Sequence, residues 1–225
     1  MQKIDMSKKL LTTADLIREA GDFCVSESKY NNKQLYGVTD GKAVGTHIEH
    51  KFKKLLHDRY DLLFGSSANG LDLPSEGIET DIKVTSARQP QSSCPFKDAR
   101  QKVFGLGYNL LVFVYEKNDD SKSRSSILNF VSCTYISKWR TADYTTTYRL
   151  REMVRDNANE ADIISFLSDR NIPADEITLA QLAQQILESP PQQGYLTISN
   201  ALQWRLQYQR VVDLKEQIEG IVGII

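Results

Sequence analysis

The sequence predicts an α/β fold: a mixed central sheet flanked by helices, continued by a helical C-terminal extension. Three observations predict it. Residues 45–60 carry apolar side chains at helical spacing. Residues 78–85 (IETDIKVT) alternate strictly between apolar and polar. Residues 108–116 (YNLLVFVYE) form an unbroken apolar, β-branched and aromatic run, the pattern of a strand covered on both faces. Helix, strands, helix and strand in that order require a sheet with helical cover.

Taken in order, residues 11–21 read as a first helix, capped by Thr12 or Thr13 and stopped near Gly21. Residues 26–45 are polar and contain glycine, so they read as mostly loop. In the helix over 45–60, Ile48, Phe52, Leu55 and Leu56 share one face. Residues 61–74 hold short extended pieces broken by Gly and Asn. In the strand over 78–85, Ile78, Thr80, Ile82 and Val84 face one way, and Glu79, Asp81, Lys83 and Thr85 the other. Residues 86–95 read as a loop, 96–106 as a short helix, 117–125 as a solvated turn and 126–136 as a further strand. Beyond residue 156 the chain reads as helical, over 158–169, 178–188 and 197–219, with a break at Ser189-Pro190-Pro191. The composition shift suggests a core domain over 1–155. Residues 156–225 are then a helical extension, within the same domain or set aside for dimerisation or DNA contact.

Composition narrows the function classes. A chain of 225 residues with 40% hydrophobic content can bury a core. It has no apolar run long enough to span a bilayer and no secretory leader pattern. Three scattered cysteines, Cys24, Cys94 and Cys133, suit a reducing cytoplasm better than a disulfide scaffold. The net charge of −1 argues against a protein living on phosphate contacts alone. It is compatible with an enzyme whose own carboxylates offset its basic residues.

The chemistry lies in GLDLPSEGIETDIKVTS, residues 70–86. Asp81 and Lys83, two apart on a strand, share one face about 7 Å apart. Asp72 reaches that face if its segment pairs as a hairpin with 78–85. Two carboxylates beside an ammonium suit phosphodiester hydrolysis. Hard oxygen ligands favour Mg²⁺, which retains waters and accepts a phosphate oxygen. Lys83 can position or deprotonate the attacking water, or stabilise developing charge, and neighbouring carboxylates favour its charged form.

These residues resemble the PD-(D/E)xK nuclease superfamily, and within it a type II restriction endonuclease. The first acid of that pattern falls on Asp72, in Leu71-Asp72-Leu73, and the second acid and lysine fall on Asp81-Ile82-Lys83. A glutamate from a preceding helix would be Glu49. The resemblance covers roughly residues 40–136 and implies a restriction-endonuclease-like core, with Asp72, Asp81, Lys83 and Glu49 catalytic. There are two departures: Leu71 stands where proline is usual, and the DxK form leaves Glu79 as an alternative second ligand. The metal ligands are then drawn from Asp72, Asp81, Glu49 and Glu79. Glu49 has another reading, because Thr46-His47-Ile48-Glu49 fits a helix capping box.

The segment following the strand is rich in groups that read bases and phosphates. Arg88, Gln89 and Gln91 suit base edges, and Ser86, Ser92 and Ser93 suit phosphate, with Lys97 and Arg100 along the backbone. Lys102 on the same short helix belongs with that backbone set. An apolar stripe from Ile198 to Ile221, including Leu202, Leu206, Leu214 and Ile218, offers core packing or a dimer seam, and Arg205, Gln207, Gln209 and Arg210 offer a DNA-reading helix over the same segment.

The expected activity is therefore Mg²⁺-dependent, sequence-specific cleavage of double-stranded DNA by a cytoplasmic homodimer, in restriction-modification. Alternatives are a repair or branched-DNA nuclease of the same fold, a non-catalytic DNA-binding regulator, and an interaction protein whose sheet face is merely charged.

Overall fold

The computed structural model describes residues 8–63, 71–94, 97–199 and 204–225. The elements follow in chain order: β1 Lys9–Leu10, α1 Thr13–Glu27, α2 Gly41–Arg59, β2 Tyr60–Asp61, β3 Thr80–Ser86, β4 Gln91–Cys94, α3 Arg100–Phe104, β5 Asn109–Asp120 and β6 Ser125–Ile136. Then come α4 Tyr144–Arg155, α5 Glu160–Asp169, α6 Glu176–Glu188, β7 Thr197–Ile198, β8 Trp204–Gln207, α7 Gln209–Val212 and β9 Ile221–Gly223. The mixed α/β class predicted from the sequence is the one observed. No helix among the described residues is long and apolar enough to cross a membrane.

Packing divides the chain into two interleaved units. The first comprises residues 1–90, 109–136 and 216–225; the second comprises 91–108 and 137–215. The composition shift instead suggests a single cut near residue 155.

The first unit is built on a four-stranded sheet of order β3-β5-β6-β9. β3 runs parallel to β5, with Lys83 opposite Val112, and β5 to β6 and β6 to β9 are antiparallel. The apolar run of β5 is buried through Tyr115, as its composition requires. Helices α1 and α2 supply apolar cover. Phe23 of α1 meets Phe113 and Phe130 of the sheet, and Phe52 of α2 meets Phe113, with ring centroids 5.1–6.1 Å apart. Tilted and edge-on ring contacts of this kind add to the area that the rings bury. Helix α1 starts at Thr12, whose hydroxyl accepts the Asp15 N–H at 3.1 Å.

The second unit holds α4, α5 and α6 around Leu150, Ile163, Leu167, Leu182 and Ile186. It also holds a three-stranded antiparallel sheet of order β4-β8-β7. Helix α4 lies in a stretch for which the sequence predicts no helix. Its opening Tyr-Thr-Thr-Thr-Tyr is β-branched and aromatic, a poor start by propensity. It is initiated instead by Asp143, whose carboxylate accepts the Thr146 N–H at 2.8 Å.

Other segments also depart from expectation: α1 runs through Gly21 to Glu27, and α2 begins at Gly41, inside the loop expected over 26–45. The loop predicted over 86–95 contains strand β4, because its backbone finds a partner in β8. The turn predicted over 117–125 shortens, since β5 continues to Asp120. The helix predicted over 197–219 does not form among the described residues. Trp204, Leu206 and Tyr208 are buried while Arg205 and Gln207 are exposed, a period of two. Apolar residues four apart fit both periods, and pairing with β4 and β7 selects the strand. A dimer seam or DNA-reading helix over 198–221 falls with that helix; Leu202 lies outside the described residues.

Asp15 makes the fold acid-sensitive in a defined way. Its carboxylate accepts the Thr12 hydroxyl at 2.6 Å and the Lys9 ammonium at 3.1 Å, which lower its pKa from 3.8 to about 2. A depressed carboxylate pKa contributes stability that is complete above about pH 4 and is lost as the pH falls towards 2. Asp15→Asn should flatten the stability profile in that window and leave the shape of the profile near neutrality unchanged, as read from thermal midpoints at stepped pH.

Candidate active site

Among the described residues β3 is an edge strand, with β5 as its one full partner in the sheet. Its outer edge is met near the start by a short return segment. Leu73 and Thr80 exchange backbone hydrogen bonds of 2.9 and 3.0 Å, the hairpin pairing that Asp72 needs to reach the strand. The reversal is made at residues 75–79, where the Ile78 and Glu79 N–H groups bond the Ser75 carbonyl. Gly77 supplies φ +79° there.

Asp72 then binds the strand itself. Its Oδ2 accepts the Ile82 N–H at 2.8 Å, satisfying an edge donor that would otherwise need water. The side chain lies beside Asp81 and shares a hydrogen bond with it. Asp81 is 5% exposed. Its other contact is the Lys83 ammonium, 2.7 Å from Oδ2. The two carboxylates and the ammonium singled out from the sequence are thus neighbours.

Helix α2 adds a group that the sequence reading missed. Ile48, Phe52 and Leu56 are fully buried and anchor the helix on the core. Glu49 and Lys53 follow one position later, at the margin of that face. The Lys53 ammonium donates to Glu49 at 2.7 Å and to Oδ1 of Asp72. Gly45 permits the close approach of helix and strand, since an added Cβ would lie 3.3 Å from the Val84 carbonyl oxygen. The signal for Lys53 was present as Glu49-x-x-x-Lys53, a helical i,i+4 pair. Its second partner is set by tertiary structure.

The electrostatics are divided. Burial pushes Asp81 up to about 7, opposed by Lys83 and reinforced by Asp72. Burial would also raise Asp72. The hydrogen bond from Asp81, the Lys53 ammonium and the Ile82 N–H outweigh it and hold Asp72 below the usual carboxylate range. Lys53 loses ground to burial, but its bonds to Asp72 and Glu49 carry its pKa above the ordinary value. One acid therefore keeps its negative charge firmly, and the other calls for further positive charge.

The remaining candidates fall into place separately. Helix α2 begins at Gly41, with Asp40 as its cap, so Glu49 lies within the helix and the capping box over 46–49 is overturned. Glu79 precedes β3 with φ +33°, so the alternation begins at Thr80 rather than Ile78. Among the described residues, no three His, Cys, Asp or Glu side chains converge as a ready-made metal cage. The turn after β3 is held by the Ala87 N–H on the Tyr115 carbonyl at 2.8 Å and the Arg88 N–H on Ser86 Oγ at 3.3 Å. Arg88 and Gln89 are exposed there. Gln91 and Ser93 lie on one face of β4, while Ser92 lies on the other and hydrogen-bonds Tyr208. Lys97 and Arg100 are exposed, but Lys102 is 3% exposed beside Asp143, so it does not line an open channel.

A family model described as type II restriction enzyme NspV matches residues 10–223. A curated protein named type II restriction enzyme NspV, from Nostoc sp. (strain ATCC 29411 / PCC 7524), is 53% identical over 215 residues. The match covers 96% of this chain and 97% of the relative. No solved structure matches.

The role of Lys53 is testable through stability. Lys53→Met leaves a largely buried Asp72 without its ammonium and should cost about 1–3 kcal/mol. Combined with Asp72→Asn, the loss should be smaller than the sum of the single changes, because the charge left unpaired is gone. Urea unfolding of the four proteins measures that coupling, and strict additivity would remove Lys53 from the cluster.

Proposed function

The chain belongs to the family of the type II restriction enzyme NspV, and on that premise we propose that it is a sequence-specific endonuclease that hydrolyses double-stranded DNA, with Asp72, Asp81 and Lys83 as its catalytic centre. The observation that carries the assignment is the convergence of Asp72 on Asp81 beside the Lys83 ammonium. Restriction-modification in the cytoplasm is the setting that this activity implies.

The donor set fits a hard divalent cation. Two carboxylates offer oxygen ligands, and the raised pKa of Asp81 reflects a site where added positive charge is favourable. Asp72 and Asp81 would hold Mg²⁺, with Glu49 or Glu79 as a further ligand. Bound there, the cation would lower the pKa of water and neutralise charge on the reacting phosphate. A cage of three or more acids is not required, since Mg²⁺ keeps several waters and takes substrate phosphate oxygens.

The protein's own groups supply the rest. Lys83, paired with Asp81, is placed to orient the attacking water and to stabilise the negative charge that grows on the phosphoryl oxygens. Asp72, held by the Ile82 N–H and by Lys53, fixes one carboxylate without side-chain freedom. The exposed Arg88 and Gln89, together with Ser86, Gln91, Ser93, Lys97 and Arg100, form the proposed DNA contacts beyond the scissile phosphate; Ser92 drops out of that set, because its hydroxyl is taken by Tyr208 on the other face of β4.

Digestion of mixed plasmid DNA with and without Mg²⁺ tests the assignment. Discrete fragments are expected only with the metal. Asp72→Ala and Lys83→Ala should each cut slower by orders of magnitude while keeping wild-type circular dichroism. Near-normal cutting by either variant would remove it from the centre. Sequence-specific binding without cutting would favour a DNA-binding regulator.

A homodimer is the proposed assembly, because one Asp72–Asp81–Lys83 set addresses one scissile phosphate. Two copies related by a two-fold axis would cut both strands of a palindromic site. Light scattering of the protein on its DNA site should return two subunits per duplex. One subunit per duplex, or sequential nicking of an asymmetric site, would refute the dimer and leave the chemistry intact.

A further inference from the structure

The three-stranded sheet β4-β8-β7 separates its side chains cleanly. In antiparallel strands, directly opposed residues project from the same face. Gln91 opposes Gln207, which opposes Thr197 in turn, and Ser93 opposes Arg205. The Ser199 N–H donates to the Arg205 carbonyl, and the Ser199 hydroxyl accepts the Arg205 N–H, each at 3.1 Å. The other face carries Cys94, Trp204, Leu206 and Ile198, all buried. Ser93, Thr197, Arg205 and Gln207 are exposed. One side of the sheet is therefore core, and the other is an open face of hydrogen-bonding side chains.

The chemistry of that open face is specific. Among the described residues it has one cation, no carboxylate, and no aliphatic or aromatic anchor, in a chain with 29 acids and 28 Lys and Arg residues. A face built to hold phosphates would need more positive charge. One built to hold a protein would need a buried apolar anchor. Paired glutamines and an arginine between hydroxyls supply donors and acceptors together, which is what base edges in the major groove present. Gln suits adenine and Arg suits guanine. Same-face residues on a strand stand about 6.8 Å apart, close to two base-pair rises of about 3.4 Å.

We infer that the open face of the β4-β8-β7 sheet reads bases in the major groove of the DNA site, with Arg205 and Gln207 of β8 as specificity-determining residues alongside Gln91 of β4. The inference rests on the endonuclease reading above and adds to it two residues, more than a hundred positions from the catalytic strand. Ser92 takes no part in base reading, because its side chain belongs to the buried face.

The test is digestion of bacterial genomic DNA with Mg²⁺, followed by sequencing of the fragment ends. The proteins compared are the wild type, Arg205→Ala, Arg205→Lys, Gln207→Ala and, as a control, Gln184→Ala, an exposed glutamine on α6 of the same unit. The wild type and the control should return one consensus. Arg205→Ala and Gln207→Ala should each cut the consensus site about tenfold slower or worse, and should accept more than one base at one position of it. Arg205→Lys should resemble Arg205→Ala, since an ammonium cannot make the forked contact of a guanidinium. Thermal midpoints equal to that of the wild type would tie any loss to recognition. Full recovery with lysine, or slower cutting with an unchanged consensus, would reassign Arg205 to phosphate and overturn the inference. So would wild-type rates and ends in both alanine variants. Absence of fragments from the wild type itself would instead sink the nuclease reading, and this one with it.

Discussion

The hydrogen bond from the Ile82 N–H to the Asp72 carboxylate is the contact on which the site depends. An edge strand exposes backbone donors that must be satisfied. Here one of them is met by a side chain, which draws a second acid against Asp81. Two carboxylates in contact repel when both are ionised, so the arrangement needs positive charge on each side. Lys53 supplies it from helix α2 and Lys83 from the strand itself. The asymmetry between a low Asp72 and a high Asp81 follows from the fact that Asp72 has three donors and Asp81 is the more deeply buried.

That contact is held in place by apolar packing. β3 is pinned along its inner edge by seven parallel pairs with β5, whose side chains are buried from Asn109 to Tyr115. Ile78 and Ile82 face the core that Phe52 and Phe113 share with α1. The pleat then turns Asp81 and Lys83 to the opposite face, so hydrophobic burial on one side fixes the polar groups on the other. Gly45 completes the geometry by letting α2 approach Val84, which brings Lys53 within reach of Asp72.

The second unit applies the same rule of alternation to a different end. Trp204 and Leu206 anchor β8 in its own core, and the intervening Arg205 and Gln207 are left outside. Asp143 ties this unit's parts together, capping α4 while also accepting the Ile198 N–H at 2.9 Å. Local propensity is weak or misleading for α4 and the three-stranded sheet, which depend on remote partners, whereas α5 and α6 form close to where neighbouring residues predict them.

What the sequence by itself determined are the features with local causes. The period of 3.6 over Ile48, Phe52 and Leu56, the cap at Thr12, the apolar run from Leu110 to Val114 and the spacing of Asp81 and Lys83 are written in neighbouring residues. Asp72 was legible as an acid beside a strand, on condition of a hairpin that Leu73 and Thr80 supply. Only the tertiary structure decided the rest. Lys53 meets Asp72 because helix and strand pack at Gly45. Gln91–Cys94 becomes a strand because Trp204–Gln207 offers it hydrogen bonds. Ser92 and Tyr208 meet across 116 residues of chain, a separation at which no spacing rule operates. The described residues of 197–219 include two strands and a single turn of helix because backbone pairing, a non-local interaction, outweighs an apolar spacing that both periods can satisfy.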